Sequence, residues 1–335
     1  MIMIRRCVLR TDSIVSTLVR RSGVWYHSPC SADEALRTEA DKEKEKIMQG
    51  TMRAKRGMFG LVAALAAGAL FAAVPSSGGG ESGIKAQIAS ERKGSTKVFE
   101  EALSATEAKV WRSADGNTLP YRLHLPAKPE PGRLYPLVIH MHGAGSWGTN
   151  NVDQIRTGGA DFIFWAKRHG EEYVFIAPQT PKRRKWVDTP WEQTKSTMKE
   201  TPTPSLRMAM EIIDDAIARY PVDRDRIYLM GISMGGYAAW ELLQRRPELF
   251  AAGLPCCGGG DVAQAPRLKD IPIWAFHGSK DKGVPVCRSR DMVAAIKAAG
   301  GKKILYREYK GFGHNVWTPA FSDDKVFEWL FSQHR

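Results

Sequence analysis

The residues of this sequence most capable of chemistry begin with Ser233, set in Gly231-Ile-Ser233-Met-Gly235-Gly236 directly after the apolar run Arg226 to Met230. A serine between two glycines at a strand-to-helix junction can be lifted clear of its surroundings, the geometry of an exposed nucleophile. A hydroxyl attacks only when a neighbouring base takes its proton. His314, in Gly311-Phe-Gly-His314-Asn-Val-Trp317, supplies a base in a glycine-rich loop after the last strand-like run. The imidazole in turn needs a carboxylate to fix its tautomer and stabilise its charged form. Asp281, in His277-Gly-Ser-Lys-Asp281, follows a strand and completes the order Ser, Asp, His. Asp270 precedes that strand and so falls at the wrong edge, and Asp291 reads as a helix-start residue.

Attack on an acyl carbon creates an oxyanion, for which preorganised backbone N–H donors are worth about 3 to 4 kcal/mol each. His140-Met-His142-Gly-Ala144-Gly145 ends another strand at the right edge, so the N–H groups of Ala144 and Met234 are the expected donors. His142 and His277 each stand in a strand-end His-Gly pair, but no carboxylate or further histidine occurs beside them at ligand spacing. No metal and no cofactor are expected.

These residues need a scaffold that gathers loop ends at one rim. Short apolar runs at Leu119 to Leu125, Pro136 to Met141, Tyr173 to Ala177, Arg226 to Met230, Ala251 to Pro255, Ile271 to His277 and Lys303 to Tyr309 read as strands. Helical patterns lie among them at Gly159 to Arg168, Pro204 to Tyr220, Met234 to Arg246, Asp291 to Ala299 and Asp324 to Gln333. The alternation predicts an α/β fold with a mostly parallel sheet and helices on both faces. Pro129 to Gly132 reads as a turn between two early strands, which suits an antiparallel start. The long connection from Pro178 to Pro204 carries Trp186, Trp191 and the basic cluster Lys182 to Lys185. Its length and its place after a strand end predict a role in lining the substrate site. Gly145, Trp147, Trp186 and Trp317 are the candidate substrate-contacting residues.

Four segments are expected: an upstream extension over 1–51, a signal peptide over 52–76, a lead-in over 77–108 with a helix around Val98 to Glu107, and one catalytic domain over 109–335. The signal is the basic stretch Met52 to Met58 followed by the apolar run Phe59 to Val74. That run is shorter than the roughly 20 residues a spanning helix needs, so cleavage and export are expected, with a retained anchor as the alternative. A signal peptide works only at an N-terminus, which implies translation from Met52; a genuine cytosolic extension is the alternative.

The 335 residues carry a net charge of +13, and the part after residue 76 stays basic. The basic residues are scattered and accompany no nucleic-acid motif, so no nucleic-acid partner is expected. Of the five cysteines, Cys256, Cys257 and Cys287 fall in the body, where either one of the vicinal pair joins Cys287 or the thiols stay free and buried.

On HGAG, APQ at Ala177 to Gln179, GISMGG, CCGGGD at Cys256 to Asp261, WAFHGSKD and GFGHNVW, the chain resembles exported α/β-hydrolase esterases. The resemblance runs over roughly 110–334 and includes polyhydroxybutyrate depolymerase-like and feruloyl esterase-like enzymes and predicted peptidases or phospholipase/carboxylesterases. It implies a metal-free acyl-enzyme mechanism on small-molecule or polymer-linked esters. A serine peptidase of the prolyl oligopeptidase type and a silent hydrolase-fold binding protein are the alternatives. Relatives often carry Glu or Arg after HGAG, where this chain has Ser146-Trp147-Gly148.

Overall fold

The computed structural model describes residues 96–335. The upstream extension, the signal peptide and the first part of the lead-in lie outside the described residues. Eight strands form one sheet: β1 Glu107–Arg112, β2 Thr118–His124, β3 Tyr135–Met141, β4 Val174–Pro178, β5 Val222–Ile232, β6 Ala252–Cys256, β7 Ile273–Gly278 and β8 Ile304–Tyr309. Their order is β1-β2-β4-β3-β5-β6-β7-β8. From β4 through β3 to β8 every pairing is parallel, and β2 runs antiparallel to both β1 and β4. The antiparallel start is therefore present, but the Pro129 turn does not join paired neighbours, because β4 inserts between β2 and β3.

Parallel strands covered on both faces must bury both sets of side chains, so they read as continuous apolar runs. Along β3, Leu137, Ile139 and Met141 enter one core while Val138 enters the other. Along β5, Leu229 faces the first core, and Tyr228 and Met230 face the second. The first core is closed by the helices α2 Pro204–Arg219, α3 Met234–Arg245 and α4 Cys287–Ala298. The second is closed by α1 Gly159–His169, α5 Trp317–Phe321 and α6 Asp324–Phe331. The helix boundaries follow local chemistry. Thr203 caps α2 by accepting the Leu206 N–H, and Pro204 fills the first helical position where no donor is needed. Gly170 stops α1 in the left-handed conformation. Among the described residues no helix is long and apolar enough to cross a membrane.

Three differences from the sequence reading have physical causes. The helix expected around Val98 to Glu107 lies at 96–104 and packs Phe99 and Ala102 into the second core, so this part of the lead-in belongs to the folded unit. Strand β1 lies at the sheet edge with mostly exposed side chains, which leaves no apolar run to detect. Helix α4 starts at Cys287, one turn before the expected Asp291, because its first turn buries the polar residues Arg288 and Ser289.

The parallel order sets the C-terminal ends of β3, β5, β7 and β8 along one rim, which is where open α/β sheets hold ligands. The tightest contact there is between α3 and β3: a Cβ at Gly235 would lie 1.9 Å from the Met141 carbonyl oxygen. Gly235→Ala is expected to destabilise the protein by about 3 kcal/mol or more, because backbone rather than a movable side chain must give way. Urea denaturation followed by circular dichroism would measure this, and a midpoint equal to wild type would show that the contact is slack.

Candidate active site

Each of the three sequence-predicted side chains arrives at the rim from a separate strand end. Ser233 sits between β5 and α3 with φ 55° and ψ −119°, a conformation that costs a non-glycine residue about 1 to 3 kcal/mol. The turn is held by the Ser233 N–H donating to the Cys256 carbonyl at 2.8 Å and by the Tyr237 N–H donating to the Ser233 carbonyl at 3.1 Å. Gly231 is required here because a Cβ on it would lie 2.1 Å from the Gly235 carbonyl oxygen. His314, in the loop after β8, places Nε2 2.8 Å from Ser233 Oγ. Its Nδ1 lies 2.6 Å from Asp281 Oδ2, and Asp281 comes from the turn after β7. The structure thus brings together Ser233, His314 and Asp281, residues 81 and 33 positions apart in the two hydrogen bonds. Asp270 pairs with Lys269 away from this group, and Asp291 lies buried on α4.

The Asp281 side chain is fully buried. Burial alone would raise its pKa, but hydrogen bonds from His277, His314 and the Val284 N–H outweigh it and hold the carboxyl far below its usual range. Oδ1 accepts the N–H groups of Gly283 at 2.8 Å and Val284 at 2.9 Å, leaving Oδ2 for the rings of His314 and His277. The His314 ring is partly buried, which opposes its charged form. The hydrogen bond and charge of Asp281, joined by the thiol of Cys257, prevail and push it up to about 9. A hydroxyl, an imidazole and a carboxylate in this sequence can pass a proton from oxygen to nitrogen and stabilise the resulting cation.

The end of β3 lies against the serine turn. A Cβ at Gly143 would be 3.3 Å from Ser233 Cβ, so Ala144 follows within one residue of that contact. Ala144 opens a short 3-10 turn through Ser146, and Met234 opens α3. First-turn N–H groups lack partners within their own helix, so both expected oxyanion donors occupy positions where a donor is free to meet a ligand. Gln179, from the APQ motif, fixes this loop from behind. Its amide donates to the Ser146 carbonyl at 3.1 Å and to Asn150 Oδ1 at 2.9 Å, and its oxygen accepts the Asn151 N–H at 2.7 Å.

The candidate substrate residues divide. Gly145 is exposed, with open space where a side chain would stand. Trp147 is half-buried and pairs with Trp191, ring centroids 5.7 Å apart. Trp317 stands edge-on to the His314 ring at 5.1 Å. Trp186 does not line the site: it is fully buried in the first core, where its Nε1–H donates to the His142 carbonyl at 3.1 Å. The indole is thus consumed in tying the long connection to the end of β3.

His142 is likewise structural. Its Nδ1–H donates to the Gly143 carbonyl at 2.7 Å and its Nε2 accepts the Thr180 N–H at 3.1 Å, which fixes the neutral tautomer. Burial pushes this ring down to about 4. Cys256 and Cys257 are free, buried thiols, so neither pairs with Cys287. Sequence reasoning missed two neighbours of the relay. Cys257 lies where its Sγ donates to the His314 carbonyl at 3.2 Å. His277 approaches Asp281 to 3.2 Å, and its i to i+4 spacing from Asp281 was the available signal.

A mostly parallel sheet sheathed by helices on both faces, with a strained serine at the strand-to-helix turn after β5, defines the α/β-hydrolase fold. Residues 129–327 match the phospholipase/carboxylesterase family, and the chain belongs to that family. It is 30% identical over 79 residues to a bifunctional acetylxylan esterase/xylanase of Neocallimastix patriciarum, a match covering 24% of this chain and 12% of that protein. It is 37% identical to a thermostable esterase of known structure, with a TM-score of 0.65, covering 70% of this chain and 64% of the other. A ferulic acid esterase structure shares the fold at 18% identity and a TM-score of 0.52, covering 68% of this chain and 97% of that one. The chain therefore spans only part of the length of the first two relatives.

A proton acceptor must be neutral to work, so kcat/KM for any reaction using His314 as base rises as pH climbs through its pKa. The rising limb is expected in the alkaline range, near pH 9, because Asp281 favours the protonated ring. A pH–rate profile with its rising limb below the ordinary imidazole value would contradict this reading of the site.

Proposed function

We propose that the protein is a serine hydrolase of carboxylic esters that works through an acyl-enzyme intermediate. The observation that carries the reading is the continuous relay from Ser233 Oγ through His314, at 2.8 Å and 2.6 Å, to a buried ionised Asp281. Ser233 Oγ bonds to the ester carbonyl carbon while its proton passes to His314 Nε2. The tetrahedral intermediate then collapses, the ester C–O bond breaks, and the alcohol leaves with the proton from His314. Water gives a proton to His314, attacks the acyl carbon, and the carboxylic acid departs as Ser233 recovers its hydrogen. The N–H groups of Ala144 and Met234 receive the oxyanion in both halves. No step calls on a metal or cofactor.

The substrate class we infer is a small ester or an acyl group on a polysaccharide. It is supported by the match to an acetylxylan esterase/xylanase and by the Trp317 ring, which stands 5.1 Å from that of His314 and gives the site a flat apolar neighbour. We infer export as well, with the apolar run Phe59 to Val74 as the cleaved signal. N-terminal sequencing of the mature protein is expected to begin near residues 74–77, and retention of residues 1–51 would refute export by this segment.

A panel of chromogenic acyl esters, feruloyl and acetyl sugars and peptide amides tests the activity. Ester turnover is expected to exceed amide turnover, and Ser233→Ala is expected to lower kcat by about three orders of magnitude or more with the fold retained. Undiminished turnover in the alanine variant would remove Ser233 from the mechanism, and preferential amide cleavage would favour the peptidase reading.

A further inference from the structure

His277, next to last in β7, is fully buried and takes no part in the relay described above. Its Nε2 lies 3.1 Å from the Val284 carbonyl oxygen and 3.2 Å from Asp281 Oδ2. Both are acceptors with no hydrogen to give, so Nε2 must carry the proton. Its Nδ1 lies 2.8 Å from Ser289 Oγ, which also stands 3.1 Å from the Gly258 carbonyl oxygen. The ring is thereby clamped from α4 on one side and from the Asp281 turn on the other. Val284 is engaged twice, giving its N–H to Asp281 Oδ1 at 2.9 Å and its carbonyl to His277.

We propose that His277 is a positioning residue for the proton relay, its Nε2–H turning Asp281 Oδ2 toward His314 and withdrawing negative charge from that oxygen. This rests on the ester-hydrolase reading for its consequence in turnover, but not for its geometry. Asp281 Oδ2 is the oxygen that meets His314 Nδ1 at 2.6 Å, so two imidazoles share it. A carboxylate relieved of part of its charge by a second donor pulls less strongly on the His314 proton. The base is therefore neutral at a lower pH than Asp281 alone would allow.

Other charged or titratable groups surround the pair. Cys257, after β6, touches the His314 backbone, and Cys256 precedes it. Tyr237 on α3 senses the charge of Asp281, and Glu308 on β8 senses His277 while bound to Arg290 and Tyr306. None of these donates a hydrogen bond to Asp281, and although the Cys257 thiol lies within 4.8 Å of its carboxylate, His277 is, among the described residues, the side chain other than His314 with a nitrogen in reach of Oδ2.

The test compares wild type with His277→Leu, which removes the donor, and His277→Gln, which can return an N–H. Two readouts are needed: the pH profile of kcat/KM on a chromogenic ester, and the titration of the His314 ring by NMR in a Ser233→Ala background. His277→Leu is expected to move both toward higher pH by half a pH unit or more, a loss of about three-fold or greater in kcat/KM on the rising limb. His277→Gln is expected to restore most of the shift even if its thermal stability is lower than wild type. An unmoved or downward-moved His314 titration in a folded His277→Leu protein would overturn the proposal and leave His277 a packing residue. If the leucine variant does not fold, a shift in the glutamine variant as large as the whole expected change would do the same. Absence of ester turnover in wild type would refute the hydrolase reading while the NMR titration still decides the role of His277.

Discussion

Ser233 can keep its backbone at φ 55° only because the turn that carries it is wedged between β3 and β6 with no side chains in the gap. The strain of about 1 to 3 kcal/mol in that conformation has to be overcome by surrounding contacts, and those contacts are backbone against backbone. Gly235 meets the end of β3, Gly236 meets the Cys256 carbonyl of β6, and the Ser233 N–H is bonded to that same carbonyl. Moving either neighbouring strand would move the hydroxyl, so the positions of β3, β5 and β6 are tied to the placement of one oxygen. The same wedge brings the β3 loop, with Ala144, within reach of the serine.

Around this wedge the site is organised by how charge is handled. Asp281 is buried, and an isolated carboxylate there would cost several kcal/mol. Two backbone N–H groups on one oxygen and two imidazoles at the other remove that penalty and leave a carboxylate that is both ionised and fixed in direction. The acid is thus set by its own turn, independently of the serine, and the only element that must bridge the two is the loop bearing His314.

Much of this was legible in the sequence because it depends on local patterns. The glycines at 231 and 235, the order Ser, Asp, His, and the apolar strands preceding each residue pointed to the parallel part of the sheet and to the rim where Ser233, His314 and Asp281 meet. What escaped detection lacked a local pattern. Strand β1 is an edge strand with little apolar surface, and the start of α4 is hidden by Arg288 and Ser289, polar residues whose burial is decided by distant partners. Trp186 was misplaced for the same reason. Its composition and loop suit a ligand surface, but the hydrogen bond to His142, 44 residues away, makes it core. The contact of His277 with Asp281 left one trace in the sequence, their i to i+4 spacing, but the hydrogen bond itself depends on how the turn of Asp281 folds back.

The connection across 179–203 is held in an unusual manner. Arg288 grips the Thr194 carbonyl, Arg245 grips the carbonyls of Lys199 and Glu200, the Tyr237 hydroxyl meets the Trp191 carbonyl, and Asp261 receives the Met198 N–H. Each of these anchors sits on the sheet-and-helix body and recognises main-chain atoms, which every residue type supplies. At these four points the path of the connection does not depend on which side chain the gripped residue carries, whereas Trp186, through its indole, and Ser196, through its hydroxyl, hold it by their own side chains. Exposed residues such as Thr194, Lys199 and Glu200 can therefore drift in sequence without loosening the anchors that hold their main chain.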